Sequence, residues 1–194
     1  MLETDRLLLR PYQESDWASL RELDTDPEVR RYLGGATLSE EQTRDKLHQA
    51  LAEARAEPPL RHDFAVLLKG TECFIGVCFL ASLRPELGQA EVGYAISRRH
   101  WGQGYGGEAV RAVLGYGFDQ LKLRRIWAQC GTENIGSWRV LEKLGMRREG
   151  HLIENDWRDG QWCHTFLYAL LSREWESLSA AAQTRANGDQ GNMA

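Results

Sequence analysis

The sequence predicts one α+β domain with a central mixed, mostly antiparallel sheet flanked by helices. Three observations predict it. Short apolar runs of strand length are joined by tight turn signals. Other stretches carry apolar residues at three- and four-residue spacing. In the middle of the chain a strand-like run, a glycine-dense segment and an amphipathic helix follow one another.

Taken in order, 6–12 (Arg-Leu-Leu-Leu-Arg-Pro-Tyr) is short, apolar and stopped by proline, as a first strand would be. A helix is expected over about 15–23, with Trp17, Leu20 and Leu23 spaced by three. A second opens at Ser39, where Ser-Glu-Glu-Gln is a capping-box signature, and should stop before Pro58-Pro59. The runs 64–68 and 74–83, joined through Lys69-Gly70-Thr71-Glu72, read as an antiparallel hairpin. A strand follows at 90–96, then the glycines, then a helix at about 107–121 with Val110, Val113, Leu114, Phe118 and Leu121 on one face. A strand at 125–130, a helix at 135–144 closed by Gly145, and a hairpin of 146–157 and 161–170 turned at Asp159-Gly160 complete the domain, 1–178. Beyond it, 179–194 holds almost no large apolar residue and is expected to be a disordered tail.

With 194 residues, 24 Lys+Arg and 28 Asp+Glu, the net charge is −4. That excludes a strongly basic nucleic-acid binder while leaving room for a local basic patch. No run reaches the roughly 18 apolar residues of a membrane span, and the first residues lack the basic-then-apolar pattern of a secretory signal. The expected location is cytoplasmic, with no membrane partner. Cys73, Cys78, Cys130 and Cys163 are scattered without a Cys-x-x-Cys pair, so no metal site is expected.

The chemistry lies in Ser97-Arg98-Arg99-His100-Trp101-Gly102-Gln103-Gly104-Tyr105-Gly106-Gly107-Glu108-Ala109. Glycine permits positive φ and close approach of a ligand to the backbone. At a helix start the unpaired N–H groups and the dipole favour an anion, above all phosphate. Gly102-x-Gly104-x-x-Gly107 also satisfies a dinucleotide fingerprint. However, five mostly polar residues separate Ile96 from Gly102, and the strand belongs to an antiparallel run, unlike that motif. A Walker loop is excluded because no Gly-Lys-Ser/Thr closes the glycines.

Glu91-Val92-Gly93-Tyr94, the segment 101–109, and Asn134-Ile135-Gly136-Ser137 running into Glu142-Lys143-Leu144-Gly145-Met146 together resemble the GNAT acetyltransferase superfamily. Within it the chain is most similar to the Rim-type ribosomal-protein N-terminal acetyltransferases. The likeness includes Thr4-Asp5-Arg6-Leu7-Leu8-Leu9-Arg10 and a final hairpin leading to Glu174-Trp175, and so spans residues 4 to about 175.

The resemblance implies an α+β fold with a splayed strand pair holding acetyl-CoA. It assigns the pyrophosphate to the backbone of Gln103, Gly104, Tyr105, Gly106 and Gly107. The pantetheine arm falls to the backbone of the strand ending at Ile96 and to Asn134. Trp101 stands where the family usually has Gln or Arg. Glu91 leaves its strand on the face shared with Gly93 and Ala95 and resembles the family's general base, with His100 in reserve. The tyrosine acid used by many members is replaced by Leu141, and Ser137 is the substitute proton donor.

The implied reaction is N-acetylation by direct attack of a primary amine, the favoured acceptor being a protein N-terminus. A small-molecule amine acetyltransferase and a non-catalytic acyl-CoA-binding module are the alternatives. Trp17, Trp138, Trp157, Trp162 and Tyr32 could line an acceptor cleft, but aromatics at such positions also serve as core or as a homodimer surface.

Overall fold

The computed structural model describes residues 1–158 and 160–190. Strands β1 (Leu2–Glu3) and β2 (Leu7–Pro11) lead into helices α1 (Trp17–Thr25), α2 (Pro27–Arg30) and α3 (Glu40–Glu53). Then come β3 (Arg61–Leu68), β4 (Phe74–Arg84), β5 (Gln89–Ile96), α4 (Tyr105–Gly115), β6 (Arg125–Gly131), α5 (Ile135–Lys143), β7 (Arg147–Arg158), β8 (Gln161–Leu171) and α6 (Ser172–Gln190). The strands form one eight-stranded sheet in the order β1-β2-β3-β4-β5-β6-β8-β7. Every neighbouring pair is antiparallel except β5 and β6.

The exception positions the site. A parallel pair needs a crossover, and α4 supplies it, so the chain leaves the end of β5, bends, and starts α4 against the sheet's open crevice. The β5–β6 ladder holds only Gln89↔Arg125, Ala90↔Ile126 and Glu91↔Trp127. Beyond Glu91 and Trp127 the strands continue to Ile96 and Gly131 without pairing to each other, each still held by its outer neighbour, leaving a V in the middle of the sheet.

Each face of the sheet carries its own core. On one, Val110, Val113 and Leu114 of α4 and Leu141 of α5 pack on Leu7, Leu9, Leu80, Val92, Ile126 and Tyr168. On the other, Leu20 and Leu23 of α1 and Leu47 of α3 cover Ala65, Val77 and Ala95. Burial of one such Leu or Val side chain contributes about 1.5–3 kcal/mol, enough to fix which face each β5 residue meets. The capping box expected at Ser39 is present: Ser39 Oγ accepts from Gln42 N–H at 3.2 Å and Gln42 Oε1 accepts from Ser39 N–H at 2.7 Å. Helix α4 starts two residues earlier than the sequence suggests and passes into a π-turn over Tyr116–Gln120.

The backbone from 179 is helical as far as Gln190, consistent with the high helix propensity of the Ala180-Ala181-Ala182 run. Residues 191–194, and Asp159 of the expected Asp159-Gly160 turn, lie outside the described residues. Gly160 itself has φ +80°.

Candidate active site

A cleft of about 450 Å³ occupies the mouth of the V, between the end of β5, the start of α4 and one face of α5. Gly104, in the left-handed region at φ +83°, is the residue that caps α4. Gly102 has φ +74°. Among the described residues, the N–H groups of 102–107 donate to no protein acceptor, while the amide of Glu108 begins the helical ladder at Gly104 O, 3.1 Å. Six amide donors are thus gathered at the positive end of a helix dipole, the arrangement that binds a phosphate-type anion.

The glycines are required for different reasons. A Cβ on Gly106 would lie 2.7 Å from the Tyr94 ring, so the helix start sits directly on that side chain. A Cβ on Gly107 would meet only Val140 at 3.7 Å, an ordinary contact.

The loop is clamped from the amino terminus. Glu108 Oε1 accepts from Thr4 Oγ1 at 2.6 Å and from the Arg6 amide at 3.0 Å, and its Oε2 accepts from Arg6 Nε at 2.7 Å. Arg6 Nη1 reaches Gln103 O at 3.1 Å, and its guanidinium stacks 4.5 Å from the Tyr105 ring centre. Burial alone would raise the Glu108 carboxyl, but the bonds from Thr4 and Arg6 outweigh it and hold it below its ordinary value. The clamp is absent from the sequence reading because no local pattern links residues a hundred positions apart.

Trp101 takes part in the same closure. Its indole N–H donates to Ile96 O at 2.6 Å, tying the loop back to the end of β5. The Ile96 carbonyl, part of the backbone assigned to the pantetheine arm, therefore already has a partner. Gln103 is exposed, its side chain donating to Arg99 O at 3.3 Å. His100 lines the cleft with Nδ1 2.7 Å from Ser97 Oγ, and Arg98 and Arg99 are exposed.

Asn134 caps α5, its Oδ1 accepting from the Ser137 amide at 3.1 Å, and lines the cleft together with Gly136 and Ser137. Arg139 and Lys143 add two cations from the same helix face. Their four-residue spacing was the available sequence signal for that face. Leu141 is 2% exposed and packs in the core, so the position seven residues after Asn134 does not face the cleft.

Glu91 sits elsewhere. It stands at the vertex of the V, paired with Trp127, and is not among the residues lining the cleft. Its side chain leaves toward the α1–α3 face. Burial raises its carboxyl above the usual carboxylate value, opposed by the Arg61 charge. Arg61 itself is held by Asp63 through bonds of 2.8 and 2.9 Å. Glu91 and Ser137 thus approach the V from opposite faces of the sheet.

A second, polar recess of about 250 Å³ adjoins the first, sharing Tyr32 and Asn134 with it. Arg31, Thr132, Glu133, Arg158 and His164 also form its walls. Of Trp17, Tyr32, Trp138, Trp157 and Trp162, only Tyr32 lines either space. Trp157 and Trp162 pack edge to face, 5.1 Å apart and exposed, while Trp17 and Trp138 pack against the two cores.

Among the described residues there is no group of three or more His, Cys, Asp or Glu that could hold a metal ion, and no helix long and apolar enough to cross a membrane.

The family model of the acetyltransferase (GNAT) domain matches residues 6–147. The uncharacterized N-acetyltransferase YnaD of Bacillus subtilis (strain 168) is 33% identical over 174 residues, covering 90% of this chain and 98% of the relative. An acetyltransferase (GNAT family) from Bacillus anthracis superimposes with a TM-score of 0.79 at 32% identity, over 89% of this chain and 99% of that one. Mycobacterium smegmatis RimJ in complex with CoA-disulfide has the same fold, with a TM-score of 0.76 at 23% identity over 91% and 89% of the two chains.

Proposed function

The chain belongs to the GNAT acetyltransferase family, and from that premise we propose that it transfers the acetyl group of acetyl-CoA directly to a primary amine, with a protein N-terminus as acceptor. The observation that carries this reading is the V in the sheet, with unbonded amides gathered at its mouth.

In this reading the amides of Gln103, Gly104, Tyr105, Gly106 and Gly107 hold the diphosphate, and Arg139 and Lys143 add positive charge beside it. The pantetheine arm lies along β5 beyond Glu91, bonding to backbone that β6 leaves free, as an added strand would. Asn134 reaches the arm from the opposite wall while still capping α5. This places the thioester inside the V.

The acceptor enters from the recess that opens onto the cleft through Tyr32 and Asn134. An α-amino group has a pKa near ~8 and must lose its proton to attack. Glu91 receives that proton, directly or through water, and its raised pKa suits it better to this than an ordinary carboxylate. As nitrogen bonds to the acetyl carbon and the C–S bond breaks, the electron pair stays on sulfur. Ser137 donates a hydrogen bond to it from the other face. A thiol of pKa about 8.5 is a tolerable leaving group with that help alone. Arg158 and Gln161 wall the recess and adjoin the exposed Trp157 and Trp162 in the β7–β8 hairpin, an apolar surface that supports a polypeptide acceptor.

The test is release of free CoA by the purified protein with a panel of peptides of varied N-terminus, polyamines and aminoglycoside-like amines. Peptide turnover that collapses in Glu91→Ala supports the reading. Turnover of small amines alone would replace the acceptor. Calorimetric binding of acetyl-CoA without turnover of anything would make the protein an acyl-CoA-binding module.

A further inference from the structure

We propose that Arg6 is a positioning residue that keeps the anion cradle usable by compensating the charge of Glu108, so that the diphosphate of the acyl donor meets a neutral pair instead of a bare carboxylate behind the loop. This rests on the reading of 102–107 as the diphosphate cradle, and deepens it.

Among the described residues that line the cleft there is no Asp or Glu, while Arg139 and Lys143 are cations. The chain nevertheless sets a carboxylate in the first turn of α4, directly after the last glycine of the bend. A single guanidinium spans from that carboxylate to the bend. Arg6 Nε and Nη2 lie 2.7 and 2.6 Å from Glu108 Oε2, and Nη1 donates to Gln103 O at 3.1 Å. Nη2 is also 3.4 Å from the place a Cβ on Gly104 would take. Neither Arg6 nor Glu108 lines the cleft, so both act on an anion there through their charge and not by contact.

An acid in the first turn normally favours a helix, because it answers the positive end of the dipole. In α4 a bound phosphate uses the same end, so an uncompensated Glu108 competes for the dipole and repels the ligand. The carboxylate stays charged near neutral pH: bonds from Thr4 Oγ1 at 2.6 Å and the Arg6 amide at 3.0 Å help hold its pKa below the ordinary value. Those two donors are neutral and cancel nothing. Among the described residues Arg6 is the one cation paired with Glu108.

A mechanical brace and a charge compensator differ when both partners are removed. The brace loses more in the double variant, whereas the compensator recovers. The test measures CoA affinity by calorimetry at low and high salt in Arg6→Ala, Arg6→Lys, Glu108→Gln and the double variant Arg6→Ala/Glu108→Gln. Melting temperature is the folding control, and Arg6→Gln replaces Arg6→Ala in both the single and the double variant if the shorter side chain destabilises the protein. Acetylpantetheine, which carries no phosphate, serves as a second acyl donor in steady-state kinetics. Because the pair is partly exposed and screened, Arg6→Ala is expected to weaken CoA binding about threefold to tenfold at low salt, and less at high salt. Arg6→Lys and Glu108→Gln should stay within about twofold of wild type, and the double variant should recover at least about half of the loss on a logarithmic scale. With acetylpantetheine kcat/KM should change by less than about twofold throughout.

A double variant that binds no tighter than Arg6→Ala overturns the inference, as does Arg6→Lys binding as weakly as Arg6→Ala, because either marks Arg6 as a brace of Gln103. Equal losses with acetylpantetheine overturn it too. Unchanged affinity across the series, with wild type still binding CoA, removes the role of Arg6 and leaves the cradle standing. Failure of the wild type to bind CoA removes the cradle itself, and the inference with it.

Discussion

The two sides of the V are built from different material. Its phosphate side is main chain: two glycines at positive φ, a helix start and a row of unbonded amides, held from outside by Thr4, Arg6 and Glu108. Its acceptor side is made of charged and polar side chains from the residues just after α2, the turn after β6 and the β7–β8 hairpin, segments far apart in the chain. A site made of backbone must keep its glycines wherever the same ligand is held, because only they allow the bend and the approach. A site made of side chains can change its ligand while the fold stays the same.

The largest test of this contrast is Gly104→Val. The residue holds φ +83°, and its Cβ would come within 3.4 Å of Arg6 Nη2. Strain of this kind costs about 1–3 kcal/mol for a non-glycine residue. At tenfold per ~1.4 kcal/mol, CoA affinity measured by calorimetry should fall roughly tenfold to a hundredfold. Unchanged affinity would show that the amides of this bend do not carry the phosphates.

A paired comparison follows. Gly106→Ala must displace the Tyr94 ring, an overpacking cost of about 1–3 kcal/mol, so the melting temperature should drop by roughly 2–10 °C and CoA binding should weaken with it. Gly107→Ala meets Val140 at ordinary distance and leaves its own N–H in place. It should hold CoA affinity within about threefold. If Gly107→Ala proves as damaging, the ligand passes closer to that residue than a bond to its amide requires.

How much was legible in the sequence follows the same division. The strand, glycine and helix succession and the cap at Ser39 are local patterns, and each is present within a residue or two. The short β1 and the four-residue α2 carry no periodicity and escaped notice, although Arg31 and Tyr32, directly after α2, supply one wall of the recess. The grip of the Trp101 indole on Ile96 O and the Arg6–Glu108 pair depend on tertiary closure. The alternation of β5 gave the correct face for Glu91, but not its place at the vertex, outside the cleft. That place is set by where β6 stops pairing, and no residue type marks the point.

On the acceptor side, Arg158→Ala should have a smaller and differently directed effect. Arg158 is anchored to Asp156 by a 2.6 Å bond from Nε and lines the recess beside Gly131. Its loss is expected to raise KM for the peptide acceptor about threefold to tenfold and to leave CoA affinity within about twofold. Steady-state kinetics with calorimetry separates the two quantities. Equal losses in both would mean that the two sides of the V are not independent.

The smallest effect concerns the part of the sheet that stays closed. Beyond β6, the ladder to β8 and β7 is tied by Glu149, which accepts from Arg125 Nη1 at 3.1 Å and Nη2 at 2.5 Å and also pairs with Arg147. The Arg125 guanidinium, acting against burial and helped by Arg147, holds the Glu149 carboxyl down at about 2. A carboxyl lowered on folding stabilises the protein fully above its unfolded pKa, near ~4.3, and loses that contribution as pH falls toward the folded value. Melting temperature should therefore decline between about pH 4.5 and 2 with a component that Glu149→Gln removes. Because the pair is partly exposed, the component should amount to a few degrees at most and should shrink in high salt. A Glu149→Gln curve parallel to wild type over that window would mean the closed half owes nothing to this ion pair. Its stiffness beside the open V would then rest on the β6–β8 and β7–β8 ladders alone.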